Sequence, residues 1–300
     1  MRPILVAGAT GQLARSLIDV GKQRAIPIVA VGRPELDMEN GESIDHAVRA
    51  VQPRAIINAA AYTAVDVAES EPERAFAVNR DGAERLAAAA RCIRVPFVHV
   101  STDYVFDGCK SSFYYESDIP SPLGAYGQSK LEGENAVIVE NPDAIVFRTS
   151  WIYSPYGTNF LKTMLRLSET RDVVRVINDQ HGAPTAALDL AGAMVDALMQ
   201  VLETGIQGRT GIYHVTASGE TTWYGFAKAI YEGLRDRGYP IPRLEAIRTA
   251  DYAARAKRPA NSRLDCQKVQ RAFGIRLPPW YSSLGTCLDT LADARRKVRL

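Results

Sequence analysis

Short apolar runs alternate with amphipathic stretches along the first half of the chain. The runs have the length of buried strands, and the stretches between them repeat apolar positions at helical spacing, which predicts parallel strands joined by helices. The predicted strands lie at 4–7, 27–31, 55–58, 97–101 and 144–148, and the predicted helices near 11–23, 43–51, 72–94 and 124–140. We therefore expect an α/β fold with a doubly wound parallel sheet, Rossmann-like, and helices on both of its faces.

The second half of the chain follows a looser pattern. Helices are predicted at 159–168, 188–202 and 222–234, strands at 173–178 and 211–215, and a proline-punctuated tail of short elements follows. We expect these pieces to form a second, smaller α/β lobe that leaves a cleft above the strand ends. Residues 1–152 and about 171–215 are assigned to the main domain, and about 153–170 and 216–300 to the smaller lobe.

Composition narrows the class of protein. The 300 residues are 46% hydrophobic and 23% charged, which is typical of a soluble globular chain with a large core. No apolar run approaches the roughly 20 residues that span a bilayer, and residues 1–20 lack the pattern of a signal peptide. Scattered cysteines favour reduced thiols, and a net charge of +2 gives no reason to expect a nucleic-acid or membrane partner. We expect a cytoplasmic protein.

A glycine-containing loop follows the first predicted strand and leads into a helical pattern. Gly8 permits a tight turn, Gly11 lets the backbone approach a pyrophosphate, and Ala14 is small enough for close helix–strand packing. The N-terminus of the helix then offers free N–H groups to phosphates. The alternative is a turn that binds no ligand. The predicted cofactor contacts in this loop are Gly8, Thr10, Gly11, Gln12 and Leu13.

The residues that follow the second and third strands bear on the choice of cofactor. Arg33 comes directly after the second strand and Asp37 slightly later. A guanidinium at this position can pair with the extra phosphate of NADP, whereas a carboxylate would bind the ribose hydroxyls of NAD. Arg33 therefore favours NADPH, with NADH also accepted; the alternative is a solvated arginine. The predicted contacts after the third strand are Ala59, Ala60 and Ala61.

Tyr126 and Lys130 form a pair that is typical of acid–base catalysis. They lie four residues apart in a predicted helix, which is about one turn, so both side chains emerge on one face. An ammonium beside a phenol favours the phenolate and is expected to lower the pKa of Tyr126. Thr102, after the fourth strand, offers a hydroxyl at the same edge of the sheet. The alternatives are an exposed helix face for the pair and a turn-capping hydroxyl for Thr102.

Several long motifs in this order resemble the extended short-chain dehydrogenase/reductases. The resemblance covers nearly the whole chain and is greatest to the branch whose members act on 4-keto nucleotide sugars. The motifs that carry it include Gly8-Ala-Thr-Gly-Gln-Leu, Asn58-Ala-Ala-Ala-Tyr-Thr-Ala-Val-Asp66, Ser101-Thr-Asp-Tyr-Val-Phe-Asp-Gly108, Tyr126-Gly-Gln-Ser-Lys130 and Asn178-Asp-Gln-His-Gly-Ala-Pro-Thr185.

The resemblance implies an oxidoreductase with Thr102, Tyr126 and Lys130 as catalytic residues. NAD(P)H would deliver hydride to C4 of dTDP-4-dehydro-L-rhamnose, giving dTDP-L-rhamnose, a precursor of cell-surface polysaccharide. Tyr126 would donate the proton, Thr102 would bind the carbonyl oxygen, and Lys130 would hold the nicotinamide ribose. The smaller lobe would bind the nucleotide sugar. The implied substrate contacts are Thr63, Val65, Thr102, Asp103, Tyr126, Trp151, Asn159 and Arg258.

Two of these substrate contacts have structural alternatives, and a metal site is not expected. Trp151 also fits a core position at a strand end, and Arg258 also fits the surface. Some members of the family bind Mg²⁺ at a dimer interface through glutamates, but Ser16 and Leu188 occupy those positions here and Asp189 comes one residue late. This departure argues against Mg²⁺ and against a metal-linked dimer, so we expect a monomer or weak homodimer.

Other functions remain open on the same fold. One is another nucleotide-sugar reductase or an epimerase. A 4,6-dehydratase is disfavoured because Tyr104 stands where its relatives carry a glutamate. The other is a non-catalytic, NADP-binding regulatory subunit, which would have no need for Thr102, Tyr126 and Lys130 together. Consumption of NAD(P)H distinguishes a reductase from both.

Overall fold

The computed structural model describes residues 1–298, which contain twelve strands and eleven α-helices. The strands are β1 (Ile4–Ala7), β2 (Ile28–Val31), β3 (Ala55–Asn58), β4 (Phe97–Thr102), β5 (Ile145–Thr149), β6 (Ile152–Tyr153), β7 (Val173–Ile177), β8 (His181–Gly182), β9 (Thr185–Ala186), β10 (Gly211–His214), β11 (Thr221–Thr222) and β12 (Arg243–Ile247). The helices are α1 (Gln12–Gln23), α2 (Gly41–Val51), α3 (Val65–Ala68), α4 (Pro72–Phe76), α5 (Gly82–Cys92), α6 (Ala125–Glu140), α7 (Phe160–Thr170), α8 (Ala187–Thr204), α9 (Trp223–Arg235), α10 (Gln267–Phe273) and α11 (Trp280–Val298).

Six strands form one parallel sheet in the order β2-β1-β3-β4-β5-β10. All of their carboxyl ends therefore meet at the same edge. The chain leaves β1 towards β2 on one side and returns to β3 on the other, which opens a crevice at that edge. The predicted α/β class with a parallel sheet is confirmed.

Both faces of this sheet are covered because side chains alternate along each strand. Ile4 and Val6 of β1 belong to a buried cluster with α1 and α8, whereas Leu5 and Ala7 belong to a cluster with α2 and α5. Burying an aliphatic side chain of this size contributes about 1.5–3 kcal/mol. The two clusters thus hold the strand ends, and the residues that follow them, in fixed positions.

A third buried cluster holds the smaller lobe together and corrects one assignment. It joins α7, α9 and α11 to β7, which pairs in parallel with β12 rather than with the main sheet. Only Val174 and Val176 of β7 are buried, in alternation, as suits a strand that is covered on one face. The strand predicted at 173–178 therefore belongs to the smaller lobe and not to the main domain.

The C-terminal region also differs from the predicted tail of short elements. Pro278 and Pro279 precede α11, a helix of 19 residues, so they mark its start instead of interrupting structure. Before them, α10 and Leu277 return to the main domain and pack in the cluster with α1 and α8. The last two residues of the range 216–300 lie outside the described residues.

Candidate active site

A cavity of about 810 Å³ lies at the carboxyl ends of the main-sheet strands. One wall is formed by the glycine loop and the segments that follow β2 and β3, and the opposite wall by residues 157–160 and Trp223 of the smaller lobe. Between the walls lie the ends of β4 and β5 and the start of α6. Of the predicted site residues, all line this cavity except Arg258.

The glycine loop is shaped to admit a ligand against its backbone. Gly8 has φ +101°, and a Cβ built on it would lie 3.2 Å from the backbone nitrogen of Ala60. A Cβ on Gly11 would meet no protein atom within 4 Å, so this position is open to the cavity. No side chain caps α1 at Gly11, which leaves the first N–H groups of the helix for a ligand.

Arginines surround the part of the cavity that follows β2. Arg33 is exposed and lines it, together with Arg74, whose guanidinium lies 3.4 Å from the Glu39 carboxylate. The Asp37 carboxylate accepts a hydrogen bond of 3.1 Å from the backbone N–H of Glu39. Within residues 1–298 no hydrogen bond or ion pair engages the Arg33 guanidinium, so this end of the cavity offers a group that suits a phosphate.

Thr102, Tyr126 and Lys130 come together in the middle of the cavity. Thr102 ends β4, and its hydroxyl donates to Asp103 Oδ1 at 3.1 Å and accepts from the N–H of Tyr104 at 3.2 Å. The Tyr126 ring packs edge-to-face on the Tyr104 ring, with centroids 5.4 Å apart. Burial raises the pKa of Asp103 to about 6, although hydrogen bonds from Ser262 and Thr102 oppose the rise.

The expectation that Lys130 lowers the pKa of Tyr126 is wrong for this structure. Burial raises the pKa of the phenol to about 12, and only the hydrogen bond with Thr102 opposes that rise. The Lys130 nitrogen instead donates to the carbonyl of Val100 at 2.7 Å and lies 3.3 Å from His99 Nε2. Burial lowers the pKa of Lys130 to about 8, against the charge of Glu134.

Aromatic side chains form the wall on the side of the smaller lobe. Trp151 stacks on Trp223 with ring centroids 3.6 Å apart and an angle of 12° between the planes. Gly182 lies directly against the Trp151 ring. A Cβ at this position would come within 2.6 Å of the ring, so a larger residue would not fit here. Thr63, between β3 and α3, and Val65, the first residue of α3, also line the cavity.

Asn159 connects the two walls. Its side chain accepts from the N–H of Lys162, as the N-cap of α7, and donates to Gln12 Oε1 at 3.2 Å. Gln12 in turn donates to the carbonyl of Ile152 at 3.3 Å. The glycine loop is therefore attached to the smaller lobe through side chains that also face the cavity.

Comparison with known proteins identifies the family. Residues 1–293 match the model of the RmlD substrate binding domain. The chain is 46% identical over 286 residues to a dTDP-4-dehydrorhamnose reductase of Sinorhizobium fredii, covering 93% of this chain and 94% of the relative. It is 41% identical over 294 residues to that of Escherichia coli, covering 96% and 97%. The chain belongs to the dTDP-4-dehydrorhamnose reductase family.

A solved structure of this reductase family has the same fold and contains a dinucleotide. The dTDP-4-dehydrorhamnose reductase of Bacillus anthracis, determined in complex with NADP, superimposes with a TM-score of 0.88 at 32% identity, covering 96% of this chain and 99% of that one. The UDP-glucose 4-epimerase of Thermus thermophilus shares the fold at 18% identity, with a TM-score of 0.78.

The residues of this chain fit the dinucleotide of the reductase family. The open position at Gly11 and the uncapped start of α1 form a cradle for a pyrophosphate. Further along the cavity, the buried hydroxyls of Ser101 and Thr149 have no hydrogen-bond partner in the described part of the chain. Buried polar groups normally have partners, so these hydroxyls are suited to a bound ligand.

Arg258 is the one predicted reductase site residue that lies away from the cavity. Its guanidinium binds both oxygens of Asp66, at 2.6 Å and 3.2 Å, and also donates to the carbonyl of Ala256. This pairing holds the pKa of Asp66 below its usual range. In this structure the arginine connects the segment after β3 to the C-terminal region, and contact with substrate stays a prediction.

The serine at one of the positions that hold magnesium in some members of the family, and the aspartate one residue after the other position, have other contacts here. The Ser16 hydroxyl donates to the carbonyl of Gln12, and Asp189 accepts a hydrogen bond from Ser283. Over residues 1–298, no group of three or more His, Cys, Asp and Glu side chains is placed to hold a metal ion. In the same residues, no helix is long and apolar enough to cross a membrane.

Several residues of the cavity were not predicted from the sequence. Ser101 and Thr149 have a signal in the sequence, because they stand at the ends of adjacent parallel strands, as Thr102 does. Trp223 has none: it begins an amphipathic helix far along the chain, and only the stack on Trp151 brings it to the cavity. Tyr104 comes two residues after Thr102, and its sequence position bears only on the dehydratase alternative.

Proposed function

We propose that this chain reduces the C4 keto group of dTDP-4-dehydro-L-rhamnose with NADPH, giving dTDP-L-rhamnose. The observation that carries the proposal is the meeting of Thr102, Tyr126 and Lys130 in one cavity with an open pyrophosphate cradle. Near full-length similarity to dTDP-4-dehydrorhamnose reductases supports the choice of substrate.

The side chains of the cavity have separate roles in this reaction. NADPH supplies the hydride when bound, and Gly8, Thr10, Gly11, Gln12 and Leu13 would hold its pyrophosphate. Tyr126 donates a proton to the C4 oxygen; its raised pKa keeps the phenol protonated at neutral pH, as a general acid requires. Thr102 donates a hydrogen bond to the same oxygen and stabilises the charge that develops there.

One side of the cavity suits the cofactor and the other suits the nucleotide sugar. Arg33, with Asp37 nearby, is placed for the extra phosphate of NADPH, and NADH is expected to bind more weakly. Ala59, Ala60 and Ala61 offer a flat backbone surface beside the cofactor. On the substrate side, Trp151 with Trp223 offers an aromatic face to the sugar or base, and Thr63, Val65, Asp103 and Asn159 offer further contacts.

The finer properties of this reductase are proposals as well. A cytoplasmic location is supported by the four cysteines, which are free thiols. A monomer or weak homodimer is supported by Ser16 and Leu188, which replace the carboxylates that Mg²⁺ requires.

The experiment is a substrate panel with product analysis. Purified chain is mixed with dTDP-4-dehydro-L-rhamnose, or with other 4-keto nucleotide sugars, and with NADPH or NADH. We expect one NADPH oxidised for each dTDP-L-rhamnose formed, with products identified by NMR. Conversion without oxidation of NADPH would favour an epimerase. Tight NADPH binding without turnover of any sugar would favour a regulatory subunit, and either result would contradict the proposal.

A further inference from the structure

Asn58, His99 and Lys130 form a buried hydrogen-bonded chain behind the cavity. The relative exposures of the three residues are 0%, 0% and 2%. Asn58 Nδ2 lies 3.1 Å from His99 Nδ1, and His99 Nε2 lies 3.3 Å from the Lys130 nitrogen. Asn58 and His99 do not line the cavity; they reach it through Lys130 and, for Asn58, also through the backbone N–H of Ala60.

The orientation of the Asn58 amide is determined by its other contact. Its Oδ1 accepts a hydrogen bond of 3.1 Å from the backbone N–H of Ala60, so the opposite atom must be the NH₂ group. An NH₂ group only donates. His99 Nδ1 must therefore carry the lone pair, and in a neutral imidazole the proton then lies on Nε2.

This tautomer decides the form of the lysine. An Nε2–H group that faces a charged ammonium would place two donors against each other. An uncharged amine, in contrast, accepts from Nε2 with its lone pair and still donates to the carbonyl of Val100 at 2.7 Å. Every polar atom of the chain then has a partner, as buried groups require.

We propose that Asn58 and His99 are positioning residues that disfavour the ammonium of Lys130 in the free enzyme and favour its uncharged amine, with His99 donating from Nε2. This inference deepens the proposed function, on which it rests for the importance of Lys130. A lysine whose ammonium is disfavoured can change its protonation when ligands enter, instead of remaining a fixed cation. Burial acts in the same direction and lowers the pKa of Lys130 to about 8.

The other ionisable groups around the lysine determine what competes with His99. Glu134 lies one turn along the same helix and favours the ammonium, but its carboxylate is bound by the buried guanidinium of Arg148 at 2.6 Å. The other titratable or charged groups on the elements around Lys130 are Tyr126 and Glu134 on its own helix, His99 on β4, Asp103 directly after β4 and Arg148 on β5. Arg80 lies in the π-helical segment Ala77–Asp81, which contacts α6, but its guanidinium pairs with Asp81 and Glu132.

The tautomer can be read directly by NMR in the wild-type protein. Long-range ¹H–¹⁵N correlations show which ring nitrogen of each histidine carries the proton. We expect His99 to be neutral at pH 7 with the proton on Nε2. His214 is an internal reference with the opposite tautomer, because its Nδ1 lies 3.1 Å from the carbonyl of Tyr114 and must donate to it. A proton on Nδ1 of His99, or an imidazolium at pH 7, would overturn the inference.

A matched pair of variants tests the effect on the lysine. In Asn58→Asp, the carboxylate accepts from Nδ1–H, so the proton leaves Nε2 and the lysine becomes the donor. The titration midpoint of Lys130, followed through the Cε signal of ¹³C-labelled lysine, should rise by about one pH unit or more, because the new carboxylate adds its negative charge to the change of tautomer. His99→Gln, which can turn its oxygen to the ammonium, should raise the midpoint as well.

The control is His214→Gln, which removes another fully buried histidine and should leave the Lys130 midpoint unchanged. Circular dichroism confirms that each variant is folded, and the wild-type spectrum keeps the test decisive where a variant is not. An unchanged midpoint in folded His99→Gln, which adds no charge, would refute the inference. The NMR result does not depend on turnover, so it separates failure of this inference from failure of the proposed reductase activity.

Discussion

The two walls of the cavity are built in different ways. The cofactor wall consists largely of backbone, from Gly8 to Leu13 and from Ala59 to Ala61, and each part is a continuous motif at the end of a buried strand. The substrate wall consists of side chains such as Trp151, Asn159 and Trp223, which come from segments far apart in the chain. A wall of backbone can be recognised from local sequence, whereas a wall of side chains depends on how distant elements pack.

The catalytic residues between the walls depend both on a local motif and on distant packing. Tyr126 and Lys130 are a local pair on one helix, but burial and the distant partners Val100 and His99 set their protonation. The local motif therefore predicts which residues meet, and the tertiary environment determines their chemistry.

The largest effect is expected for Tyr126→Phe, which removes the proton donor between the walls. General acid catalysis typically contributes about 10²–10⁴-fold, so kcat should fall by that factor. NADPH binding, followed by fluorescence titration, should change little because the backbone wall is intact. A kcat close to that of the wild type would rule out Tyr126 as the donor, and a lost NADPH affinity would show that the two parts are not independent.

The next effect concerns Asp103, a buried carboxyl whose pKa rises to about 6 from its ordinary value of 3.8. Between these values the folded state binds more protons than the unfolded state, so the free energy of unfolding falls as pH rises through this range. Asp103→Asn removes the ionisation. The free energy of unfolding of Asp103→Asn minus that of the wild type should therefore be larger at pH 7 than at pH 4. The expected increase is on the order of 2–3 kcal/mol.

Denaturant titration of both proteins at the two pH values measures this difference. Asp107→Asn is the control, because the pKa of Asp107 is lowered by the backbone N–H of Cys109 and its contribution has the opposite sign. A pH-independent difference between Asp103→Asn and wild type would mean that the carboxyl is not protonated preferentially in the folded state.

Gly11→Ala and Gly8→Ala distinguish an opening for ligand from a requirement of the fold. Gly11 has φ −65° and open space around it, so Gly11→Ala should fold as the wild type does but weaken NADPH binding about tenfold, or about 1.4 kcal/mol. Gly8 has φ +101° and lies close to Ala60, so Gly8→Ala should lower the free energy of unfolding by about 1–2 kcal/mol. Unaltered NADPH affinity in Gly11→Ala would place the pyrophosphate elsewhere.

The smallest effect is expected on the substrate wall. Trp223→Ala removes the partner that holds Trp151, and an aromatic pair is worth about 0.5–1.5 kcal/mol beyond its buried area. The KM for the nucleotide sugar should rise roughly two- to tenfold, with kcat and the KM for NADPH nearly unchanged. Trp280→Ala, a partly buried tryptophan of the smaller lobe outside the cavity, is the control and should leave the KM for the sugar unaltered.

Elements whose structure depends on neighbouring residues in the sequence are predicted best. The strand at Ile4–Ala7 has the predicted bounds because an apolar run that ends at a glycine admits few other structures. The strand at 173–178 was placed in the wrong domain because its sequence does not show which sheet edge it joins. The final helix, α11, was missed because Pro278 and Pro279 suggest interruption until their place before its first turn is known.

From the amino-acid order alone follow the parallel sheet, the glycine loop and the spacing of Tyr126 and Lys130, because strand period, glycine conformation and helical pitch are local properties of the chain. The folded molecule was needed to place Trp223 against Trp151, to direct Arg258 to Asp66 instead of the cavity, and to bury Lys130 against His99. Those arrangements arise from contacts between segments far apart in sequence, and the burial that changes the pKa values exists only once the layers have packed.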